Sequence, residues 1–265
     1  DTNTTNERPL TVKELIDAGK SRRGWSRLGQ FTKCPQLFAY TNRLGLELIP
    51  AAALTRGSMG HILQAHLHAI WGAEQGGVLV DTSYYTDPEA FLSPRDAVVA
   101  WCDITNGGHE FLDRMLTVFD HYVETHPEPP GRVLAVEWPM TAVIGRRKGE
   151  WGLWVIDPNE ERLLDAPCET ILAHDGVEIE VTPLNMPGHP EHGDAYAIDG
   201  GFALFRHMGK QVFGHRFTGL RLNLIQTTDP YKVARPTVPP TPHRDRHLAQ
   251  LVWNAEHQIA LHDIN

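Results

Sequence analysis

The sequence predicts an α/β fold in which a mixed β-sheet is flanked by helices, with a helical region at the N-terminal side. Three observations carry this. Apolar residues recur at helical spacing before residue 126, as in Phe111, Leu112, Met115, Phe119 and Tyr122. The texture changes after "PEPPG" at 127–131, where valine-rich and alternating stretches read as strands. A glycine-bearing helical stretch at 196–214 then separates two strand-like segments. Helices, strands, helix, strand and helix in that order describe a mixed sheet covered by helices.

Each element has its own signal. Residues 1–25 read as an arm with a short helix, with Thr11 as N-cap, Glu14 at capping-box spacing and Gly19 as the stop. Residues 26–235 read as the main domain, helical over 26–126 and sheet-rich over 131–235. "WSRLGQFTKCPQLFAYTNRLGL" reads as a helix capped by Ser26 and broken near Pro35. "HILQAHLHAIWGA" is an apolar helix, and the "RGSMG" before it reads as a glycine turn that sets His61 in the first helical turn. "SPRDAVVAWCDI" has Ser93 as cap and Pro94 at the first helical position. "RVLAVEWPMTAVI" and "GEWGLWVID" read as strands, and "CETILAHDGVEIEV" as a hairpin turning at His174–Asp175–Gly176. A loop follows over 182–195, then the helix at 196–214, and "GLRLNLIQT" reads as the last strand. Residues 236–265 hold a proline-rich connector and a closing helix.

Composition narrows the function. The chain has 265 residues, a hydrophobic content of 41% and a formal net charge of −9. Its mean hydropathy is −0.32, and no run of eighteen apolar residues suggests a membrane span. A polar "DTNTTNERPL" start does not read as a signal peptide, and a cytoplasmic location is expected. The three cysteines, Cys34, Cys102 and Cys168, form no metal or disulfide pattern. The charge is unevenly spread. Residues 20–56 carry seven basic side chains and one acidic, and 205–246 carry eight and two, whereas 72–200 carry seven and twenty-four. If the fold brings the two basic ends together, they make a face suited to a phosphate backbone.

Candidate chemistry rests on few residues. His61, His66 and His68 lack the i, i+4 spacing of a zinc pair, although His61 and His68 share a helix face. Glu137 sits in an apolar strand, where a carboxylate needs pairing, a metal or an outward position. Glu178 and Glu180 alternate with Val177, Ile179 and Val181, as on a solvent-facing strand edge. "GDAYAIDGGF" lacks both the dinucleotide fingerprint and the Walker lysine, and no nucleophile elbow or HExxH is present.

The order of these pieces says more than any one of them. "SRLGQFTKCPQLFAY", then "RGSMGH", "VLAVEWPM", "HDGVEIEV" and "YAIDGGFALFRHMGKQVFG" resemble the RecB-like branch of the PD-(D/E)XK nuclease superfamily, over about residues 26–226. Phage-type exonucleases and the CRISPR adaptation nucleases belong to it. The resemblance implies a restriction-endonuclease-like core and a Mg²⁺ or Mn²⁺ site, with His61, Glu137 and Glu169 as metal ligands converging in one cleft. Glu180 is the fourth catalytic candidate. The resemblance implies DNA as partner, and the uneven charge makes Arg22, Arg23, Arg27, Lys33, Arg56, Arg206, Lys210, Arg216 and Arg221 the expected backbone-binding cations. A protein partner in recombination or replication, and a host-cytoplasm location if phage-encoded, are also implied. The cluster-bearing relatives use one early and three late cysteines, so no iron–sulfur cluster is expected.

The chain departs from the family pattern at its chemical centre. The D-x-K positions hold Val181 and Pro183, and the helix glutamine position holds Gly201. Neither valine nor proline holds a metal or polarises water. A one-residue shift would bring in Glu180, and Lys210 or Arg206 could supply the missing cation. Restoring Val181→Asp with Pro183→Lys is expected to recover both groups. The expected function is a nucleic-acid-binding protein of this exonuclease lineage with impaired catalysis. An active exonuclease with migrated residues and a scaffold that keeps only the fold stay open as alternatives.

Overall fold

The structure is a computed structural model. It describes residues 25–44, 46, 52–76, 79–80, 93–147, 150–152, 162–173, 176–181 and 200–240, and helical residues at 247–248, 251–252, 254–255, 258–259 and 261. The expected N-terminal helix near 10–19, the loop at 182–195, and the basic residues Arg22 and Arg23 lie outside the described residues.

Helix α1 (Trp25–Lys33) ends before Cys34, which caps α2 (Pro35–Phe38). Pro35 has no N–H to lose at the first helical position, and the Cys34 sulfur accepts from the Leu37 amide at 3.4 Å. The break at Pro35 is therefore where the sequence places it, but α1 runs from Trp25, so Ser26 lies inside the helix. A π-helical turn, Ala39–Arg43, extends α2.

Helix α3 (Ala52–Glu74) differs from expectation at its start. Gly57 and Gly60 are helical, so no glycine turn precedes His61, which lies in the third turn rather than the first. The amide of His61 is therefore inside the helix ladder, not among the four open donors of a helix start. Short-range alanine, leucine and methionine propensity carries the helix through its glycines, each of which costs about 1 kcal/mol against alanine. Strand β1 (Leu79–Val80) follows. Then come α4 (Pro94–Thr105) and α5 (His109–Thr125). Ser93 caps α4 as expected, accepting from the Asp96 amide. Asn106 (φ 49°) and Gly108 (φ 86°), both left-handed, separate the two helices.

The sheet is mixed. Its strands are β2 (Arg132–Arg147), β3 (Glu150–Gly152), β4 (Arg162–Ala173), β5 (Val177–Val181) and β6 (Phe217–Leu222), with β9 (Thr237–Val238) at one margin. The order is β1-β2-β4-β5-β6-β9, with β3 on β2. The β4–β5 hairpin is antiparallel, Ala173 facing Val177 across the turn. The β1–β2 and β5–β6 pairs are parallel. A parallel pair needs a long crossover. Helices α4 and α5 supply the first, and α6 (Gly200–Phe213) the second. A separate two-stranded ladder, β7 (Leu224–Ile225) with β8 (Val233–Ala234), follows β6. The segment read as a pure connector thus carries β9. Its Thr237 and Val238 pair with Arg221 and Leu220 although prolines flank them.

Two apolar layers sandwich the sheet. One packs α1, α2, α6 and the C-terminal helical residues through Leu28, Phe31, Leu204, Met208, Leu248 and Val252 onto Ala135, Ile179, Val181 and Leu222. The other packs α3, α4 and α5 through Met59, Leu63, Val98, Met115 and Phe119 onto Val133 and Val136. Alternate strand residues serve opposite layers, as the pleat requires. Among the described residues, no helix is long and apolar enough to cross a membrane.

Candidate functional site

Strand β5 sets the geometry. Ile179 and Val181 point into the α1–α6 layer, so Glu180 between them faces α3. Glu180 is 0% exposed, and its Oε1 lies 3.7 Å from His68 Nε2. This corrects the solvent-edge reading of "VEIEV". Strand β5 is interior, held between β4 and β6. Glu178, the other acid of that face, accepts from Arg221 Nε at 2.7 Å.

A polar centre surrounds Glu180 and His68. Gln64 and His68 come from α3, Tyr122 from α5, Asn223 from the end of β6, and Arg235 from the link between β8 and β9. Asn223 Nδ2 donates to the Tyr122 hydroxyl at 3.1 Å and lies 3.5 Å from Gln64 Oε1. Arg235 donates to the same hydroxyl and, at 3.5 Å, to Asn223 Oδ1. The Asn223 amide donates to the Val181 carbonyl at 2.9 Å, which ties this corner to β5. His68, Tyr122, Glu180 and Asn223 are all fully enclosed.

Electrostatics follow from burial. Burial first, and the Arg235 guanidinium second, push the His68 imidazole down to about 3. His68 is therefore neutral at physiological pH, and its approach to Glu180 is not an ion pair. Burial pushes the Tyr122 phenol up to about 12; Arg235 opposes that shift and Glu180 adds to it. Both rings respond to the same guanidinium, which places one fixed positive charge beside the centre.

The residues expected from the sequence fall in different places. His61 is half-buried on α3, two turns before His68. Glu137 is half-buried on β2 with φ 48°, a left-handed conformation rare for glutamate that costs about 1–3 kcal/mol. The register on either side, Val136 with Thr170 and Trp138 with Cys168, sets Glu137 across from Glu169 on β4. A bulge between Val133 and Ala135 precedes it, so the simple alternation that groups Val133, Ala135 and Glu137 on one face does not hold. The side chain of Glu169 lies outside the described residues. Among the described residues, no three His, Cys, Asp or Glu side chains gather to hold one ion. Cys34 and Cys102 are free thiols, the first exposed and the second buried.

Of the cations expected on a basic face, the described ones divide into exposed and engaged side chains. Arg206 is 3% exposed and lies on α6 in the opposite layer from Glu180, so it is withdrawn from both roles given to it. Arg221 is engaged by Glu178, and Arg56 stands over the Phe111 ring at 5.3 Å. Lys33, Lys210 and Arg216 are exposed. The side chain of Arg27 lies outside the described residues. Sequence reasoning missed Gln64, Tyr122, Asn223 and Arg235. Gln64 and His68 carried a signal, polar residues at i, i+4 on an otherwise apolar helix. Asn223 among leucines carried another. Arg235, in a proline-rich stretch, carried none.

No family model matches the chain, and no curated protein matches it. A solved structure does. The crystal structure of a "Putative exonuclease" from Eubacterium rectale aligns with a TM-score of 0.54 over 96% of this chain and 86% of that one, at 11% identity. The likeness is one of fold: a mixed sheet between helical layers.

Proposed function

We propose that this protein is a DNA-binding member of the exonuclease lineage whose hydrolytic centre is impaired. The observation that carries the reading is the match of shape over nearly the whole chain to a protein named as an exonuclease. The RecB-like order of motifs agrees with it. The impairment rests on the centre itself. Val181 stands in an apolar core, and Glu180, the carboxylate one position away, is enclosed at 0% exposure beside a neutral His68. A phosphodiester reaching Glu180 would have to displace the packing of α3 and α5. Binding is assigned to exposed cations of the α1–α6 layer, with Lys33, Lys210 and Arg216 as its described members.

The test is a pair of assays on linear single-stranded and duplex DNA. Gel-shift titration is expected to show salt-sensitive binding. Incubation with Mg²⁺ or Mn²⁺ is expected to show little digestion. Strong digestion abolished by Glu180→Ala would establish an active enzyme with a migrated carboxylate. No binding at low salt would leave a scaffold that keeps only the fold.

A further inference from the structure

Residues 226–238 form a strap that leaves the end of β7, turns, and returns to pair with β6 as β9. Side chains hold it to α5. Arg114 donates twice to the Thr227 carbonyl, at 3.0 and 2.7 Å. The rings of His121 and Tyr231 lie 5.9 Å apart. Arg235 donates to the Tyr122 hydroxyl and, at 3.5 Å, to Asn223 Oδ1, and its guanidinium carbon stands 5.5 Å from the centre of the Tyr122 ring. That ring has a second neighbour. The imidazole of His126, at the C-terminal end of α5, stacks on it with centroids 5.4 Å apart and planes 14° from parallel. One aromatic ring thus has both a permanent cation and a titratable group beside it.

A guanidinium keeps its proton at any pH a protein survives, whereas an imidazole gains its charge near pH 6.5. The hydrogen bonds of His126 fix where that proton goes. Thr125 Oγ1 gives its hydrogen to the His121 carbonyl at 2.7 Å, so it accepts from His126 Nδ1 at 2.9 Å, and Nε2 takes up the second hydrogen. Burial first, and then Arg235, hold the His126 imidazole below its ordinary value; the Tyr122 backbone opposes this and His121 adds to it. The acids nearest in sequence, Glu124 and Glu128, are exposed, as are Asp229 and Lys232 on the strap. We propose that His126 is an acid-sensitive latch: once its ring is protonated, two cations share the Tyr122 ring, Arg235 is driven off, and the strap lifts from α5 and uncovers Tyr122 and Asn223. Docking is complete above about pH 6.5 and weakens as pH falls through the lower value of the docked imidazole. His68, which takes its proton only at about 3, stays outside that window. The latch is independent of what the chain binds.

The experiment follows backbone hydrogen exchange of the full chain by NMR from pH 8 to pH 5, expressed as protection factors so that the intrinsic pH dependence of exchange cancels. The Leu222 amide, which donates to the Pro236 carbonyl at 2.9 Å, reports the strap. The amides of the β4–β5 ladder report the sheet. In wild type, Leu222 protection is expected to fall about tenfold further than that of the ladder. His126→Phe keeps a ring against Tyr122 but cannot take a proton, and the extra fall should vanish. Arg235→Met should lower Leu222 protection already at pH 8, add no further acid loss, and let His126 titrate closer to its ordinary value. A relative fall that persists in His126→Phe would overturn the proposal, as would Leu222 and the ladder losing protection together in wild type. If His126→Phe does not fold, the wild-type ring titration decides. Leu222 protection should then fall with the same midpoint as the His126 ring signals, and a different midpoint overturns the latch.

Discussion

Val181 and its neighbour Glu180 lie on opposite faces of β5, and that alternation changes what a repair of the motif would do. A carboxylate at Val181 would enter the apolar layer made by Leu28, Phe31, Leu204 and Leu222. Val181→Asp is therefore expected to cost about 4 kcal/mol, the range for a charge buried without a partner. Urea denaturation checks this, and an unchanged midpoint would contradict it. Any recovery of chemistry expected from the sequence for Val181→Asp with Pro183→Lys is therefore set against the cost of that buried charge. His68 gives a second expectation at this scale. Its folded value is pushed down to about 3 from an ordinary 6.5. Between those values the unfolded chain binds the proton and the folded chain does not, so stability falls as pH drops below about 6.5. Above that it contributes nothing. At pH 5 it amounts to about 2 kcal/mol. Melting from pH 8 to 5 should show the fall, and His68→Gln should flatten it. A His68→Gln curve as steep as wild type would locate the acid sensitivity elsewhere.

Helix α6 shows what packing does to an element. A glycine in a helix interior costs about 1 kcal/mol against alanine, so Gly209→Ala would ordinarily stabilise. Here a Cβ at Gly209 would overlap the Phe217 ring, which closes α6 against the start of β6. Gly209→Ala is expected to destabilise by about 1–2 kcal/mol net. Gly209→Ala combined with Phe217→Leu should recover part of it. Chemical denaturation of the three variants measures both numbers. Elements were legible in the sequence where local chemistry fixed their ends. Ser93 with Pro94 marked the start of α4, and Pro35 marked the break after α1. They were illegible where tertiary packing overrode a local cue. Gly57 and Gly60 read as a turn, yet α3 runs through them. The prolines around Thr237 read as a connector, yet β6 recruits Thr237 and Val238 as a strand.

Among the described residues, exposed charge divides by layer. Lys33 on α1, Lys210 on α6 and Arg216 just after it belong to one side of the sheet, and the acid-rich α4 and α5 to the other. Each exposed cation that meets a phosphate should contribute about 0.9 to the log–log salt slope of DNA binding. Lys33→Ala, Lys210→Ala and Arg216→Ala are each expected to reduce the slope by about one. Arg206→Ala should leave the slope alone, because a buried side chain releases no counterion. Filter binding across a salt series tests all four, and a slope insensitive to the three surface changes would move the binding face elsewhere. The sheet and its helical layers were readable at this scale because hydrophobic period encodes which face is buried. The centre was not, since Gln64, Tyr122, Asn223 and Arg235 meet only through the crossing of four distant segments.

One margin of the sheet has a bearing on how copies of the chain behave in solution. An open strand edge is a template on which another chain can hydrogen-bond. Strand β9 is two residues long, with Pro236 before it and Pro239 and Pro240 after it. Prolines have no N–H to offer, so the ladder cannot be continued in register past Thr237 and Val238. The stretch that looked like a spacer acts as a stop where it pairs: along Leu220 and Arg221 it offers a neighbouring chain a two-residue edge bounded by prolines rather than a long open strand.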